Sequence, residues 1–586
     1  VISGKQGGKH RRRIRIAVPA AATAIAAAVA GVMLMAPANA AAVPPPKPTI
    51  KPAVTSPSQA ELEARLEAAA KQAEEPSKGA KFSSGSSGKA DAKVIGGTET
   101  SISSAPWMAQ LFYEDGENSF FCGGAVIAPT KILTAAHCVK GADWKNKGVV
   151  VTGTETLATD ANHGGTITGV WRQWNHPSYS DYTLDNDIAV LTLAYPVTAK
   201  PINITKSDDT TSYKPGTMAT VYGWGRTSST SDDISPTLKK ATLPVNSDAT
   251  CENWQLGGEY IRNHMVCAGQ PASGQDDGTT TACNGDSGGP LVVGGKIVGV
   301  VSWGVENCVE EGAYSVYSKV SWYAGSVVPR VDDANITNDH RSDVLARRSA
   351  SDGTLYYYAS KGTSFAGRVA VDNYSATNVI LQTDLNRDDY EDMIIRTKSG
   401  DVWWSHYVPS TEEWADTKIA SGWGSRKQII VPGDVTGDAL PDLLSVDSAG
   451  VLWIYPGKGN GTFSPRVQVG SGWSQFNSVR GNGDFTGDGK TDMIARKSST
   501  SEMFLYKGTG KAGTGAFAAK VKVRTWSGYN AFDAAGDVTG DGKADYLART
   551  PGGTLYLYPG TGKATSEIFA TRIKIGTGWQ QYNIFG

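Results

Sequence analysis

Between residues 94 and 330 short apolar runs alternate with turn residues. GAVIAP, KILTAAH, DIAVLTL, GTMATVYGWG, PLVVGGKIVGVVSWG and YSVYSKVS are the clearest runs. Runs of about 4–8 residues at this density predict an all-β barrel or sandwich, with a helix only at the tail of the stretch. From 331 to 586 the pattern becomes periodic. GDVTGDALPDLLSV, GDFTGDGKTDMIAR and GDVTGDGKADYLAR start at Gly433, Gly483 and Gly536. Weaker copies are TDLNRDDYEDMIIR at Thr383 and ANITNDHRSDVLAR at Ala334. The last Asp of each copy falls at Asp343, Asp392, Asp442, Asp492 and Asp545, at spacings of 49, 50, 50 and 53. A strand follows each core, and a Tyr- or Trp-rich strand comes next (VWWSHY, VLWIYPG, MFLYKG, LYLYPG). A period near 50 with four short strands per repeat predicts a β-propeller blade.

The ends of the repeat array predict how it closes. Trp423, Trp473 and Trp526 each stand 11 residues before the first loop Asp of a copy. Another lead-in, GWQQYNIFG with Trp579, has no loop after it, while the first copy at Asn335 has a loop and no lead-in. Joining the two completes five blades, with the C-terminal strand closing the ring. An open stack of repeats is the alternative.

Residues 41–93 do not read as a domain. A Pro-rich start, VPPPKPTIKP, favours extended chain. A helical stretch follows at 61–75, with Ser58 before it as N-cap. The remainder, SKGAKFSSGSSGKADAK, is a polar linker. Residues 1–40 have the layout of a secretory signal: basic KHRRRIR, an apolar run over 16–36, and small residues at Ala38-Asn39-Ala40, with cleavage after Ala40. The apolar run is long enough to span a bilayer, so a membrane anchor is the competing reading. The cleavage site favours release outside the cell and no stable membrane anchor.

Composition sharpens this picture at three points. A chain of 586 residues suggests two to four domains, and the pattern divides it into four parts: signal 1–40, a non-domain segment 41–93, β domain 94–330 and repeats 331–586. The formal net charge of −1 gives no electrostatic footprint for nucleic acid. All 6 cysteines lie between Cys122 and Cys308. Such an even, confined set points to disulfides in an oxidising compartment, and the zinc alternative lacks a CxxC pair. The count alone leaves the pairing open.

Four motifs occur in order in the first domain: VIGG at 94–97, TAAHC at 134–138, DNDIAVL at 185–191 and GDSGGP at 285–290. Together they resemble the chymotrypsin/trypsin family of serine proteases, over about 94–330, and imply its double β-barrel. A serine hydroxyl is a poor nucleophile unless a base lies within hydrogen-bond reach. The resemblance implies Ser287 as nucleophile, His137 as base and Asp187 as the residue orienting His137. Asp185 is the rival, but Asp187 directly precedes the apolar strand IAVL. The backbone N–H groups of Gly285 and Ser287 would form the oxyanion hole. The other histidines, His10, His163, His176, His264, His340 and His406, have no matching context. The family pattern implies the pairs Cys122–Cys138, Cys251–Cys267 and Cys283–Cys308, each worth roughly 2–4 kcal/mol.

The resemblance also implies a zymogen, with residues 41–93 as its pro-segment and linker. Cleavage after Lys93 would free the Val94 amine to pair with Asp286, and the Val-Ile order is a conservative swap of the usual Ile-Val. An activating Lys-cleaving protease is then an expected partner. The pocket departs from the trypsin pattern. Thr281 stands where trypsin-like members carry Asp, Gly304 keeps a pocket glycine, and Ser315 replaces another. The expected floor is polar, uncharged and shallow, favouring medium-sized or aromatic uncharged side chains before the scissile bond. Glu306, Glu310 and Glu311 surround Cys308; one of them reaching the pocket would restore basic preference.

In the repeats, oxygen-bearing residues recur at alternate positions with one Asp four later: Asp384, Asn386, Asp388, Asp392; Asp434, Thr436, Asp438, Asp442; Asp484, Thr486, Asp488, Asp492; Asp537, Thr539, Asp541, Asp545. Asn335, Thr337, Asp339 and Asp343 fit less well. Such loops suit structural Ca2+, which takes about six to eight hard oxygen ligands; an Asx-rich turn without an ion is the alternative. They resemble the FG-GAP/VCBS repeats of integrin-like β-propellers. Catalysis itself needs no cofactor. The combined expectation is a secreted serine endopeptidase acting on protein or peptide. Its propeller either packs its aromatics internally or binds a polysaccharide or surface polymer. A non-enzymatic adhesin or lectin, and an esterase with the same acyl-enzyme chemistry, are the rivals.

Overall fold

The apolar runs of the first half form two antiparallel sheets. The first runs in the order Thr166–Thr168, Gly148–Thr152, Met108–Glu114, Ser119–Ala128, Lys131–Thr134, Ala189–Leu193, Val170–Asn175. The second runs Thr98–Glu99, Lys239–Pro244, Met218–Gly223, Pro290–Val293, Lys296–Trp303, Ser315–Lys319, Met265–Ala268, with Asn203–Ile204 added in parallel beside Lys296–Ile297. Side chains such as Leu111, Val126, Leu133, Val150 and Leu191 are fully buried inside the first sheet. This is the two half-barrel arrangement that the motifs imply. The single helix expected at the tail is Val320–Val331. The computed structural model describes residues 43–52, 54–74, 94–252, 259–349 and 352–586. The signal-like stretch, the site after Ala40 and Lys93 lie outside the described residues.

Residues 344–586 form five 4-stranded sheets arranged as propeller blades. The strand Tyr582–Phe585 pairs with Val344–Arg348, so the ring closes with the C-terminal strand in the first blade and the open stack is ruled out. The lead-in tryptophans explain the closure. Trp423, Trp473, Trp526 and Trp579 are buried, and their ring centroids lie 5.1, 4.7, 4.3 and 4.6 Å from those of Tyr455, Tyr506, Tyr558 and Tyr358. Trp579 therefore serves the first blade as the other three serve theirs. These aromatics pack the blades internally.

Pro44–Gly586 forms one compact unit. The Asp-rich loops of all five blades lie on one face, and that face meets the protease barrels. Trp171 Nε1 donates to Asn338 O at 3.3 Å, Tyr390 OH to Ala194 O at 3.2 Å, and Lys206 Nζ to Gly510 O at 3.0 Å. Gly325 on the helix Val320–Val331 lies so close to the loop at Gly487 that an added Cβ would sit 2.2 Å from its carbonyl oxygen. At the centre is a buried ion network. Lys131 Nζ lies 2.6 Å from Asp333 and 2.7 Å from Asp389, and Arg172 lies 3.3 and 2.9 Å from the same two carboxylates. Arg330 reaches Asp537 at 2.8 Å, and Arg387 reaches Asp332 at 2.6 Å. Pairing offsets the desolvation cost of such burial, whereas removing one partner of a buried pair is strongly destabilising.

The segment read as a pro-segment and linker is docked along part of its length. The helix starts at Gln59 rather than at 61, because Ser58 caps it: Glu61 N donates to Ser58 Oγ at 3.3 Å. Leu62, Leu66 and Ala69 on one of its faces are buried against the first barrel.

Candidate active site

His137 lies in the tight turn Ala136–Cys138 that follows the strand Lys131–Thr134. Its Nδ1 sits 2.8 Å from Asp187 Oδ2, and its backbone N donates to Asp187 Oδ1 at 2.8 Å. Asp187 precedes the buried strand Ala189–Leu193 and is itself fully buried. Ser302 Oγ also donates to Asp187 Oδ2, at 2.6 Å, and Ser318 Oγ donates to its backbone carbonyl. Both Asp187 oxygens are thus held, which fixes the direction of the His137 ring. Asp185, the rival, is turned away: its Oδ1 meets His264 Nδ1 at 2.5 Å. Burial disfavours the charged ring of His137, but the Asp187 charge and hydrogen bond outweigh it and raise the histidine pKa.

Ser287 enters beside this pair because its loop is pressed against the His137 turn. Gly123 N donates to Ser287 O at 2.8 Å. Gly288 has φ +78°, and a Cβ on it would lie 2.1 Å from Thr134 Oγ1 and 3.2 Å from Ala135 N. No larger residue permits that approach. Gly285 has φ +93°, a left-handed conformation that favours glycine at this turn of the loop. The three expected disulfides are present: Cys122–Cys138, Cys251–Cys267 and Cys283–Cys308. The first fixes the His137 turn to the strand Ser119–Ala128, and the third ties the Ser287 loop to the pocket wall.

A cavity of about 220 Å³ opens beside Ser287, lined among others by Thr281, Ala282, Trp303, Gly304, Glu306 and Ser315. Thr281 and Ser315 are buried at its floor and hydrogen bond to each other through their hydroxyls. Ala282 N donates to Ser315 Oγ at 3.0 Å. The two hydroxyls therefore satisfy each other, and neither brings a charge to the cavity. Glu306 lines the cavity from an exposed position, while Glu310 and Glu311 are exposed outside its lining.

Asp286 is fully buried and accepts only backbone donors: Gly225 N at 2.8 Å and Cys283 N at 2.9 Å. Among the described residues no cation forms an ion pair with it. Burial pushes its carboxyl up to about 6, against the pull of those two N–H groups. The Val94 side chain is buried nearby in the second barrel, in one cluster with Val221, Ala282, Leu291 and Tyr317.

The propeller loops form a second candidate site class. Asp434 accepts Gly437, Asp438 and Ala439 N–H groups, and Asp442 accepts those of Val435, Thr436 and Gly457. The loops with Asp484, Thr486, Asp488 and Asp492, and with Asp537, Thr539, Asp541 and Asp545, are built the same way. The loop with Asp384, Asn386, Asp388 and Asp392 differs, because Asn386 Oδ1 and Asp392 Oδ1 are buried there without a donor. Burial and mutual repulsion raise Asp384 and Asp392 well above the carboxylate range, and burial holds Asp388 at about 7. Orphaned hard oxygens in a negative cradle fit a cation such as Ca2+ at this loop. Among the described residues, no three carboxylates of one loop bring oxygens within 4.8 Å of one another. In the first loop Asn335 Oδ1 accepts Asp339 N, Thr337 N donates to Asp343, and Asp339 faces Arg341 instead.

Ser302, Ser318 and Gly225 were not singled out from the sequence. Only the adjacency of Ser302 to Trp303-Gly304 marks it, and nothing local marks the other two. No helix of the described residues is long and apolar enough to cross a membrane. The trypsin family profile matches residues 94–327, and an FG-GAP-like repeat profile matches 484–548. A trypsin from Saccharopolyspora erythraea is 41% identical over 239 residues, covering 41% of this chain and 98% of that protein. Trypsin delta from Drosophila erecta is 37% identical over 236 residues, 39% of this chain and 85% of its own length. Trypsin-3 from Salmo salar is 35% identical over 233 residues, 40% of this chain and 90% of its own. With its barrels, its cysteine pairs and these relatives, the chain belongs to the trypsin family of serine endopeptidases.

Proposed function

We propose that this is a secreted endopeptidase, made as a zymogen and acting through Ser287, His137 and Asp187. The observation that carries the reading is the doubly held Asp187 behind His137, with the Ser287 loop packed on the same turn. Ser287 Oγ attacks the scissile carbonyl while His137 takes its proton, and Asp187 stabilises the imidazolium. The N–H groups of Gly285 and Ser287 hold the oxyanion. The acyl-enzyme is then released by water. Thr281 and Ser315 direct the pocket to uncharged, medium-sized or aromatic side chains, and Glu306 at the rim is the carboxylate that could favour a basic one. A peptide-library digest by protein processed to begin at Val94 tests this. Cleavage after uncharged residues, lost by at least about 10³-fold in Ser287→Ala, is expected. Cleavage after Lys or Arg overturns the pocket reading, and unchanged cleavage by Ser287→Ala overturns the triad.

The zymogen reading rests on Asp286, a buried carboxylate with no paired cation among the described residues, and on Val94, whose side chain is buried in the second barrel with Ala282 and Tyr317. Cleavage after Lys93 by a Lys-cleaving protease supplies an ammonium there. Secretion is supported by the three disulfides and by the signal-like residues 1–40. Ca2+ in the propeller loops has its best support at Asp384–Asp392, where it would be held by carboxylate and amide oxygens. A melting temperature lowered by chelator, unless Asp384 and Asp388 are both changed to Asn, is expected; insensitivity of the wild type counts against the ion. Binding of a polysaccharide or surface polymer would belong to the propeller surface turned away from the protease.

A further inference from the structure

The segment ahead of the protease touches both halves of the molecule. Upstream, Tyr374 OH donates to Pro46 O at 2.9 Å, and Trp414 Nε1 donates to Ile50 O at 2.8 Å. Thr49 Oγ1 donates to Val371 O. Ile50 and Val54 pack on the cluster of Leu355, Tyr374, Ile380, Tyr407 and Trp414, which belongs to the first two blades. Downstream, the helix Gln59–Glu74 buries Leu62, Leu66 and Ala69 against Phe112, Phe121, Val149, Val151 and Ile167 of the first barrel. Arg65 Nη1 donates to the carbonyls of Lys145 and Gly148 at 3.2 and 3.3 Å. Pro57 and Leu62 close over Gly169, where an added Cβ would lie 3.0 Å from Pro57 Cδ. This is a strap with one end on the propeller and the other on the barrel.

Two further facts decide what such a strap does. All three disulfides lie within Cys122–Cys308, so none holds the segment. No described residue of 44–74 lines the cavity beside Ser287 or contacts His137, so the segment does not plug the cleft.

We propose that Pro44–Glu74 is a permanent light chain. It stays seated without a covalent link once the chain is cut at Lys93, and it clamps the first two blades to the first barrel. This rests on the zymogen reading for the position of the cut. Hydrolysis adds water across the Lys93–Val94 bond, leaving a carboxylate on Lys93 and an ammonium on Val94. Activation then comes from the new amine at Asp286 and not from departure of the segment. A buried apolar helix face is a strong anchor, and the buried donors Tyr374 OH and Trp414 Nε1 would lose their acceptors if the strap lifted.

The test uses the full chain in two forms. One is cut by a Lys-specific protease; the other carries an inserted recognition site for a sequence-specific protease between residues 83 and 88. Each is passed over gel filtration and weighed intact under native conditions. One fragment per large chain, persisting on dilution to nanomolar concentration, is expected in both forms. Quantitative loss of the fragment from cut, folded protein overturns the proposal. Edman sequencing of the first form reads the position of the cut separately. A new terminus other than Val94 sinks the zymogen reading, while the inserted-site form still decides retention. Leu62→Asp with Leu66→Asp should weaken retention by about 100-fold or more. If that pair misfolds, Trp414→Phe removes the Ile50 hydrogen bond and part of a buried ring, and should speed fragment release by about 3–10-fold. Release at the wild-type rate in both variants overturns the assignment of these contacts.

Discussion

Asp286 and Asp333 are both buried acids, and they live in opposite surroundings. Asp333 sits at the seam between barrel and propeller, with Lys131 at 2.6 Å, Arg172 at 3.3 Å and His340 Nδ1 at 2.5 Å. Although burial alone would raise it, the charges of Lys131 and Arg172, with the His340 contact, hold its carboxyl well below the ordinary range. Asp286 has two backbone N–H groups and, among the described residues, no paired cation, and burial pushes it up to about 6. The first acid is finished when the chain folds. Under the proposed zymogen activation, the second acquires its cation only when the bond after Lys93 is cut. A buried charge can thus serve as a fixed mount or as an unfilled socket, and the positions of the cations around it decide which.

The difference can be broken from either side. Asp286→Asn in protein processed to Val94 leaves the ammonium without a counter-charge. Its kcat/KM on a peptide substrate should fall by about 10³-fold, equivalent to about 4 kcal/mol, while the far-ultraviolet spectrum stays unchanged. At the seam, Lys131→Met leaves Asp333 and Asp389 sharing Arg172. Urea unfolding should show a loss of about 3 kcal/mol, at the lower end for a broken buried pair because Arg172 remains. Equal stability of the two proteins would show that the network adds nothing to the mount.

Acidity sharpens the same contrast. The folded-state value near 6 for Asp286 lies above the ordinary 3.8, so the unfolded chain gives up this proton first as pH rises. The contribution of Asp286 is intact below about 3.8 and declines as pH rises through about 6, which leaves the uncut chain about 3 kcal/mol poorer at neutral pH. Between pH 7 and 5, the uncut wild type should therefore gain about 1–2 kcal/mol relative to uncut Asp286→Asn, measured by denaturant unfolding. Once cut, the protein should lose this gain, since the ammonium keeps the carboxylate charged.

Much of the architecture was legible in the chain. The ring closure could be read because one Trp lead-in, at 579, lacked a loop and one loop, at Asn335, lacked a lead-in. Repetition supplies such a defect with its own partner. The candidate triad stood out in the chain because each proposed member sits inside a distinctive local motif. The seam was not. Lys131, Arg172, Asp333 and Asp389 lie far apart in the chain, and each alone looks like an ordinary solvated charge. The docking of residues 46–54 was equally hidden. An extended strand held by backbone carbonyls carries no periodic signal, and its donors, Tyr374 and Trp414, read as blade aromatics. Ser302 and Ser318 are small residues whose work depends wholly on facing Asp187.

The pairing of Tyr582–Phe585 with Val344–Arg348 has a consequence for the order of events in folding. Every other blade draws its four strands from one neighbourhood of the chain, so its contacts are local and form early. The first blade stays a strand short, with an open edge, until the chain has travelled the whole circuit. That last step carries the loop-closure entropy of the entire ring, though the cost grows only slowly with length. The protease barrels are complete at Val331 and can fold first, so the half-built propeller assembles on a finished surface. A stop codon ahead of Tyr582 would leave a correctly shaped protease joined to a ring that cannot shut.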